Sequence, residues 1–246
     1  FRSQRPSPQR YDPADAEERR RVVLGQKTHP KGFRLKQTTT WDAIWYADEK
    51  QYGPRLVEDL KIRRLLEQEL RSAQVSRVEI RRYVGRLIVN VYCVRVGIAV
   101  GRGGSRREQL RRRIERLAPS VGEVHLDFYE EPHPDLSAPV VVNNIIAQLE
   151  KRINFRRALK QQLKRCLQAG AQGVKLMVAG RLNGAEMSRT EWYRRGRIPL
   201  HTIRAKIDYA CDVARTVYGS IGVKAWIYTG EVVPERTMGE PGVGES

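Results

Sequence analysis

A chain of 246 residues with 40% hydrophobic content can bury one large core or two of ordinary size, which excludes a wholly disordered protein. Its 46 Lys and Arg outnumber 28 Asp and Glu, and the resulting formal charge of +18 demands a polyanionic partner. The sequence has no run of about 18 apolar residues to span a bilayer, and its basic clusters lie inside folded-looking segments, so nucleic acid is favoured over a membrane surface.

Phe1 to Val23 mixes Arg, Pro, Ser, Asp and Glu with few apolar residues and reads as disordered. It lacks the apolar stretch of a secretory signal, and Asp12, Asp15, Glu17 and Glu18 are too acidic for an organellar transit peptide. Gly25 to Tyr52 is loop-like, with Trp41, Trp45 and Tyr46 expected to pack on the helix that follows. Leu56 to Leu70 carries Leu56, Leu60, Ile62, Leu65, Leu66 and Leu70 at helical spacing. Strands follow, with Val78 and Ile80 alternating, then Leu87, Val89 and Val91.

Val94 to Val100 reads as a buried strand leading into Gly101-Arg102-Gly103-Gly104. After that turn, Leu110, Ile114, Leu117 and Ala118 trace an amphipathic helix that opens on Arg106 and Arg107. Glycines let a backbone approach a sugar-phosphate chain, and a helix N-terminus offers unpaired N–H groups to phosphate. A KH domain clamps about four nucleotides with such a loop. Val124, Leu126 and Phe128 then alternate as a further strand. Helix, strand, strand, Gly-x-x-Gly, helix, strand is the element order of the type II KH fold. The RNA-binding candidates here are Gly101, Arg102, Gly103, Gly104, Arg106 and Arg107.

Three prolines within Glu130 to Pro139 mark a domain boundary. A single long helix is expected from Val140 to Ala169, capped by Gly170. Arg152, Arg156, Lys160 and Lys164 recur along it every four residues, with Arg157 beside them, as a cationic stripe. Like charges in register repel, so an anionic partner explains the stripe better than solvation does. Val174 to Ala179 reads as a strand, and Gly180 to Arg197 as a Gly-rich basic hairpin region. Further RNA contacts are expected from Arg181, Arg189, Arg194, Arg195 and Arg197. Ile207, Ala210, Cys211, Ala214, Val217 and Tyr218 suggest a helix face, and Val223 to Tyr228 a final strand. Pro234 to Ser246 reads as a flexible tail.

The fold expected is therefore α+β: a type II KH domain, then a two-layer α+β domain. The divisions are a leader over 1–24, the N-terminal region and KH domain over 25–131, the second domain over 132–233 and a tail over 234–246. Cys93, Cys166 and Cys211 form no Cys-x-x-Cys pair, and His29, His125, His133 and His201 complete no zinc spacing. Small buried thiols in a reducing cytosol are expected, with no metal and no cofactor. Glu130 and Glu131 read as a solvated strand end, and no catalytic constellation converges on them.

Several segments resemble one family. Gly25-Gln26-Lys27-Thr28-His29-Pro30 is similar to the start of bacterial small-subunit ribosomal protein three, the S-three family. Gly180-Arg181-Leu182-Asn183-Gly184-Ala185-Glu186 and Arg189-Thr190-Glu191-Trp192-Tyr193 resemble its C-terminal signature. So do Gly196-Arg197-Ile198-Pro199-Leu200-His201-Thr202 and Ile207-Asp208-Tyr209. The similarity runs from about Gly25 to about Val233.

The resemblance implies a cytoplasmic, non-enzymatic constituent of the small-subunit head that binds small-subunit rRNA. It implies proteins S-ten and S-fourteen as neighbours, and S-four and S-five as companions around the channel through which mRNA enters. In the family a basic triplet on the long helix is implicated in unwinding structured mRNA. The matching residues here are Arg156, Arg157 and Lys160. A free-standing KH regulator or RNase cofactor is the alternative.

Two departures from the family stand out. Gly103 replaces a basic or polar loop residue, a loss partly offset by Arg106 and Arg107. Leu24 stands where the family has its initiating Met. The expectation is that 1–23 is a leader and that the mature chain starts at position 24 or 25.

Overall fold

The computed structural model describes residues 27–119 and 121–232. The leader expected over 1–24 and the tail expected over 234–246 lie outside the described residues. In chain order the elements are α1 (Pro30–Arg34), β1 (Ala43–Ile44), α2 (Glu49–Glu69), β2 (Val75–Tyr83) and β3 (Arg86–Cys93). Next come α3 (Val96–Val100), α4 (Ser105–Leu117), β4 (Glu123–Glu130), α5 (Ala138–Glu150) and α6 (Phe155–Gln168). The strands β5 (Gly173–Gly180), β6 (Arg189–Gly196), β7 (Ala205–Thr216) and β8 (Gly219–Glu231) follow.

The first sheet runs β1-β2-β3-β4, with β2 and β3 antiparallel and β3 and β4 parallel. Period-2 alternation turns Val78, Ile80, Leu87, Val89, Val91, Val124 and Leu126 into one apolar face, and all are buried. Ile62 and Leu66 of α2, with Leu70 at its C-cap, close over that face with Leu110 and Ile114 of α4.

The second sheet runs β6-β5-β8-β7, wholly antiparallel. Val174, Leu176, Val178, Val223, Ala225 and Ile227 face α5 and α6, which contribute Val142, Ile145, Ile146, Phe155, Leu159 and Cys166. Burial pushes the Cys166 thiol up to about 12, so it is inert; Cys93 is likewise buried, whereas Cys211 is exposed. The α+β class expected from sequence is the class the chain adopts.

The two layered units meet through polar contacts. Gln74 donates to Asn144 at 2.6 Å, the Ser76 and Ser137 hydroxyls lie 2.7 Å apart, and Arg71 donates to Glu150 at 3.0 Å. Asp208 of β7 accepts from the Ala138 N–H at 2.6 Å, supplying the α5 N-terminus with a cap that Ser137 does not give. Arg34 of α1 is fully buried against the second unit.

Four local expectations are corrected. Val94 to Val100 is no strand: Val96–Val100 is a short helix, with Ala99 buried and Val96 packed on the same core. A brief apolar run satisfies either periodicity. The long helix is two. Arg152, with φ 60°, sits just past α5; its N–H donates to Leu149 O, and that of Ile153 donates to Gln148 O, both at 3.0 Å. This Schellman ending precedes Asn154, whose side chain caps α6 by accepting from Arg156 N.

The helix expected around Ile207 to Tyr218 is strand β7 with its hairpin turn. Apolar residues occupy both of its faces, Ala210 and Ala214 towards the helices and Ile207 and Tyr209 away, which blurs the alternation. Finally, α2 begins seven residues before Leu56, and Leu56 and Leu60 are exposed rather than core. Of the three aromatics ahead of it, Trp45 packs on α2 and donates to Asp59 at 2.7 Å, whereas Trp41 and Tyr46 are exposed.

Candidate nucleic-acid interface

The Gly-x-x-Gly turn joins α3 to α4. Gly101, Gly103 and Gly104 all take positive φ, at 74°, 60° and 77°. At Gly101 a side chain is also excluded by space, since a Cβ would lie 2.8 Å from that of Arg106. At Gly103 a Cβ would meet nothing within 4 Å, so the loop crown is open.

The cations around the turn divide by role. Arg106 donates to the carbonyl of Glu69, the last residue of α2, and thereby fastens the two helices together. Arg107 pairs with Asp127 at 3.2 Å. Among the described residues Arg102 is exposed with no ion pair, which makes it the available cation of the loop. A cleft beside it is lined by Arg102, Ser105, Gln109 and Arg113, with Glu69 on the far wall paired to Arg113.

The second cluster lies on α6. Arg156, Arg157, Lys160 and Lys164 are exposed and line one shallow surface with Asn154 and Gln161. Arg156 lies 3.3 Å from Glu191 of β6, a hydrogen bond that raises its pKa. The Lys160 ammonium stands 5.9 Å from the Tyr193 ring. Among the described residues Arg157, Lys160 and Lys164 form no ion pair. Arg152 falls outside the stripe because the Schellman turn separates it from α6.

The remaining basic candidates scatter. Arg181 donates to Ala185 O and Tyr218 O, holding a turn against the β7–β8 hairpin. Arg189 pairs with Glu191 at 3.1 Å. Arg194, Arg195 and Arg197 are exposed and, among the described residues, unpaired. No group of three or more His, Cys, Asp or Glu able to hold a metal occurs among the described residues. No described helix is long and apolar enough to cross a membrane.

A helix–Gly-x-x-Gly–helix on a mixed sheet, joined to a basic antiparallel sandwich, defines a KH-type RNA-binding protein with a specialised second domain. The family models agree: "KH domain" matches residues 61–136, and "Ribosomal protein S3, C-terminal domain" matches 145–227. Small ribosomal subunit protein uS3 of Caldicellulosiruptor saccharolyticus is 49% identical over 213 residues, 87% of this chain and 96% of the relative. The uS3 of Desulforamulus reducens is 46% identical over 221 residues, 90% of this chain and 99% of the relative. That of Streptococcus equi subsp. zooepidemicus is 48% identical over 213 residues, 87% and 97%. The chain belongs to the small ribosomal subunit protein uS3 family.

Proposed function

We propose that this chain is a structural, non-enzymatic constituent of the cytoplasmic small ribosomal subunit that binds rRNA and also grips incoming mRNA. The observation that carries the mRNA reading is the α6 surface, where Arg156, Arg157, Lys160 and Lys164 converge and, among the described residues, only Arg156 meets a carboxylate. Lys and Arg on such a surface favour the separated strands by pairing with their phosphates. The sequence holds no nucleotide-hydrolysis motif: Gly101 to Ser105 lacks the spacing and the lysine of a phosphate-binding Walker loop. The work of strand separation therefore comes from translocation, and the side chains bias its outcome.

The KH loop is the rRNA-facing element of this reading, with Arg102 as its cation. Protein neighbours, S-ten and S-fourteen by family resemblance, have a surface to meet in the exposed α2 stripe of Tyr52, Leu56 and Leu60. S-four and S-five would share the mRNA channel on the α6 side.

Two measurements test the reading. A tagged chain is expected to comigrate stoichiometrically with small subunits through a high-salt gradient, and release to the light fractions would count against ribosomal membership. Subunits carrying Arg156→Ala, Arg157→Ala and Lys160→Ala together are expected to assemble but to translate more slowly through mRNA hairpins. Their salt slope for single-stranded RNA should flatten by roughly 2. Equal speed on structured and unstructured messages would remove mRNA gripping from α6.

The loop is tested separately by Arg102→Glu and Gly103→Asp. Gly103→Asp meets no steric obstacle, and Asp tolerates the left-handed backbone better than most residues. Lower affinity for RNA at matched salt is expected from both, with thermal stability unchanged in Arg102→Glu and somewhat lowered in Gly103→Asp, because a φ of 60° strains any side chain.

A further inference from the structure

The helix-free face of the second sheet carries a constellation that neither the loop nor the α6 stripe uses. Because Val174, Leu176 and Val178 point into the core, Lys175, Met177 and Ala179 point away from it. Strand register sets Arg194 and Trp226 on either side of Lys175, and Trp192 and Lys224 on either side of Met177. On the next strand Tyr209 lies beside Trp226.

The side chains complete a row across the sheet. The Lys175 ammonium lies 5.4 Å from the centre of the Trp192 ring and 5.1 Å from that of Trp226. Tyr209 is 5.2 Å beyond Trp226, and His29 meets Tyr209 edge-on at 4.9 Å. Ile198 and Leu200 roof the end of this face near Ile207 and Tyr228. The opposite end is open, and Trp192 there is 57% exposed.

Charge on the open end has one sign. The outward positions in this register are Thr190, Trp192 and Arg194 on β6, Lys175, Met177 and Ala179 on β5, and Gly222, Lys224 and Trp226 on β8. None is Asp or Glu. Burial lowers the Lys175 pKa, and the nearby charges of Lys27 and Arg194 lower it further, as expected where cations lack an anion. The outward side chains of β5 and β6 are thus mainly cations and an indole, a combination suited to phosphates with a stacking base between them.

We propose that Trp192, with Lys175, Arg194 and Lys224, forms a second seat for single-stranded RNA, in which a base stacks on the indole and flanking phosphates pair with the three cations. Every base has a π face, so such a seat tolerates sequence, and aromatics on a four-stranded sheet are a recurrent way of presenting it. Lys175 plays a double part, fixing the indole by its cation–π contact and holding charge at the rim. The proposal rests on the RNA-binding reading above but on a different surface of the molecule.

The test uses the full chain and a fluorescent oligouridine RNA, with binding read by anisotropy at fixed salt. Trp192→Ala is expected to weaken binding about tenfold and Trp192→Phe to retain most of it, with thermal stability unchanged in both. Lys224→Gln should flatten the salt slope by roughly 0.7. Photocrosslinks from 4-thiouridine RNA should fall on the β6 peptide. If Trp192→Ala binds like the unaltered chain while Gly103→Asp binds more weakly, the seat is refuted and RNA binding by the chain stands. If the unaltered chain does not hold oligouridine, both fall. Unchanged RNA affinity combined with loss of the Trp192→Ala chain from small subunits would make the face a protein contact and overturn the proposal.

Discussion

Arg34→Ala is expected to destabilise the chain on the order of 4 kcal/mol, more than any surface substitution. The side chain is fully buried, yet among the described residues it meets no carboxylate. Its guanidinium donates instead to five backbone carbonyls: Ala205 at 2.7 Å, Pro30 at 3.1 Å, Pro199 at 3.2 Å, Leu200 at 3.1 Å and Thr202 at 2.9 Å. Three of those carbonyls, Pro199, Leu200 and Thr202, lie in the irregular segment before β7, whereas Ala205 opens β7 and Pro30 opens α1. Alanine removes all five of these bonds, leaving the Pro199 and Thr202 carbonyls only their 3.3 Å turn bonds from Thr202 N and Ala205 N, and opens a void between α1 and the sheet. Lysine, a point charge without a planar fork, should recover little of the loss. Denaturant midpoints measure the effect, and proteolysis around residues 198–204 locates it. A loss under about 1 kcal/mol would mean that water replaces the guanidinium without penalty.

Much of the architecture is legible from periodicity. The alternation of Leu87, Val89 and Val91 and the 4-3-1 spacing after the Gly-x-x-Gly turn translate directly into buried faces. The α6 stripe is legible for the same reason, since Arg156, Lys160 and Lys164 share a face by helical geometry alone. Arg34 is not legible. It is one of 46 basic residues, and four of its five acceptors lie 165 to 171 positions away. Nothing local separates it from the cations that face solvent. Arg106 and Arg181 carry a duty that their place beside a glycine turn does not announce: each donates to backbone carbonyls of another segment. The break at Arg152 is hidden because a non-glycine residue in the left-handed region is uncommon. The row from Trp192 to His29 needs the register of four strands and so escapes any reading by local spacing.

Gly173→Ala should cost on the order of 3 kcal/mol, although Gly173 carries no unusual φ. It pairs with Gly196 on β6 and with Tyr228 on β8, and the chain leaving β6 folds back over it. A Cβ at Gly173 would lie 1.9 Å from the carbonyl oxygen of Arg197, which is backbone and cannot swing aside. Gly196→Ala meets the same crossing from the other strand, with a Cβ 2.1 Å from the Gln172 carbonyl and φ at 74° besides. Because both substitutions push apart one crossing, their effects should combine to less than their sum. Hydrogen exchange is expected to quicken first at the amides linking β5 to the far end of β6. Full stability in Gly173→Ala would show that residues 197–198 can lift away from the sheet at no cost.

The anchor of α1 also sets an order of events during synthesis. Residues 30–34 leave the polypeptide tunnel long before their partners, since four of the carbonyls that Arg34 grips and the Asp208 that Lys31 pairs with are made some 165 to 177 residues later. At about 5–20 residues per second, that helix waits on the order of ten to thirty seconds for its partner. An isolated five-residue helix has no stability of its own over that interval. The nascent helix therefore stays undocked until the segment before β7 and Asp208 have been made.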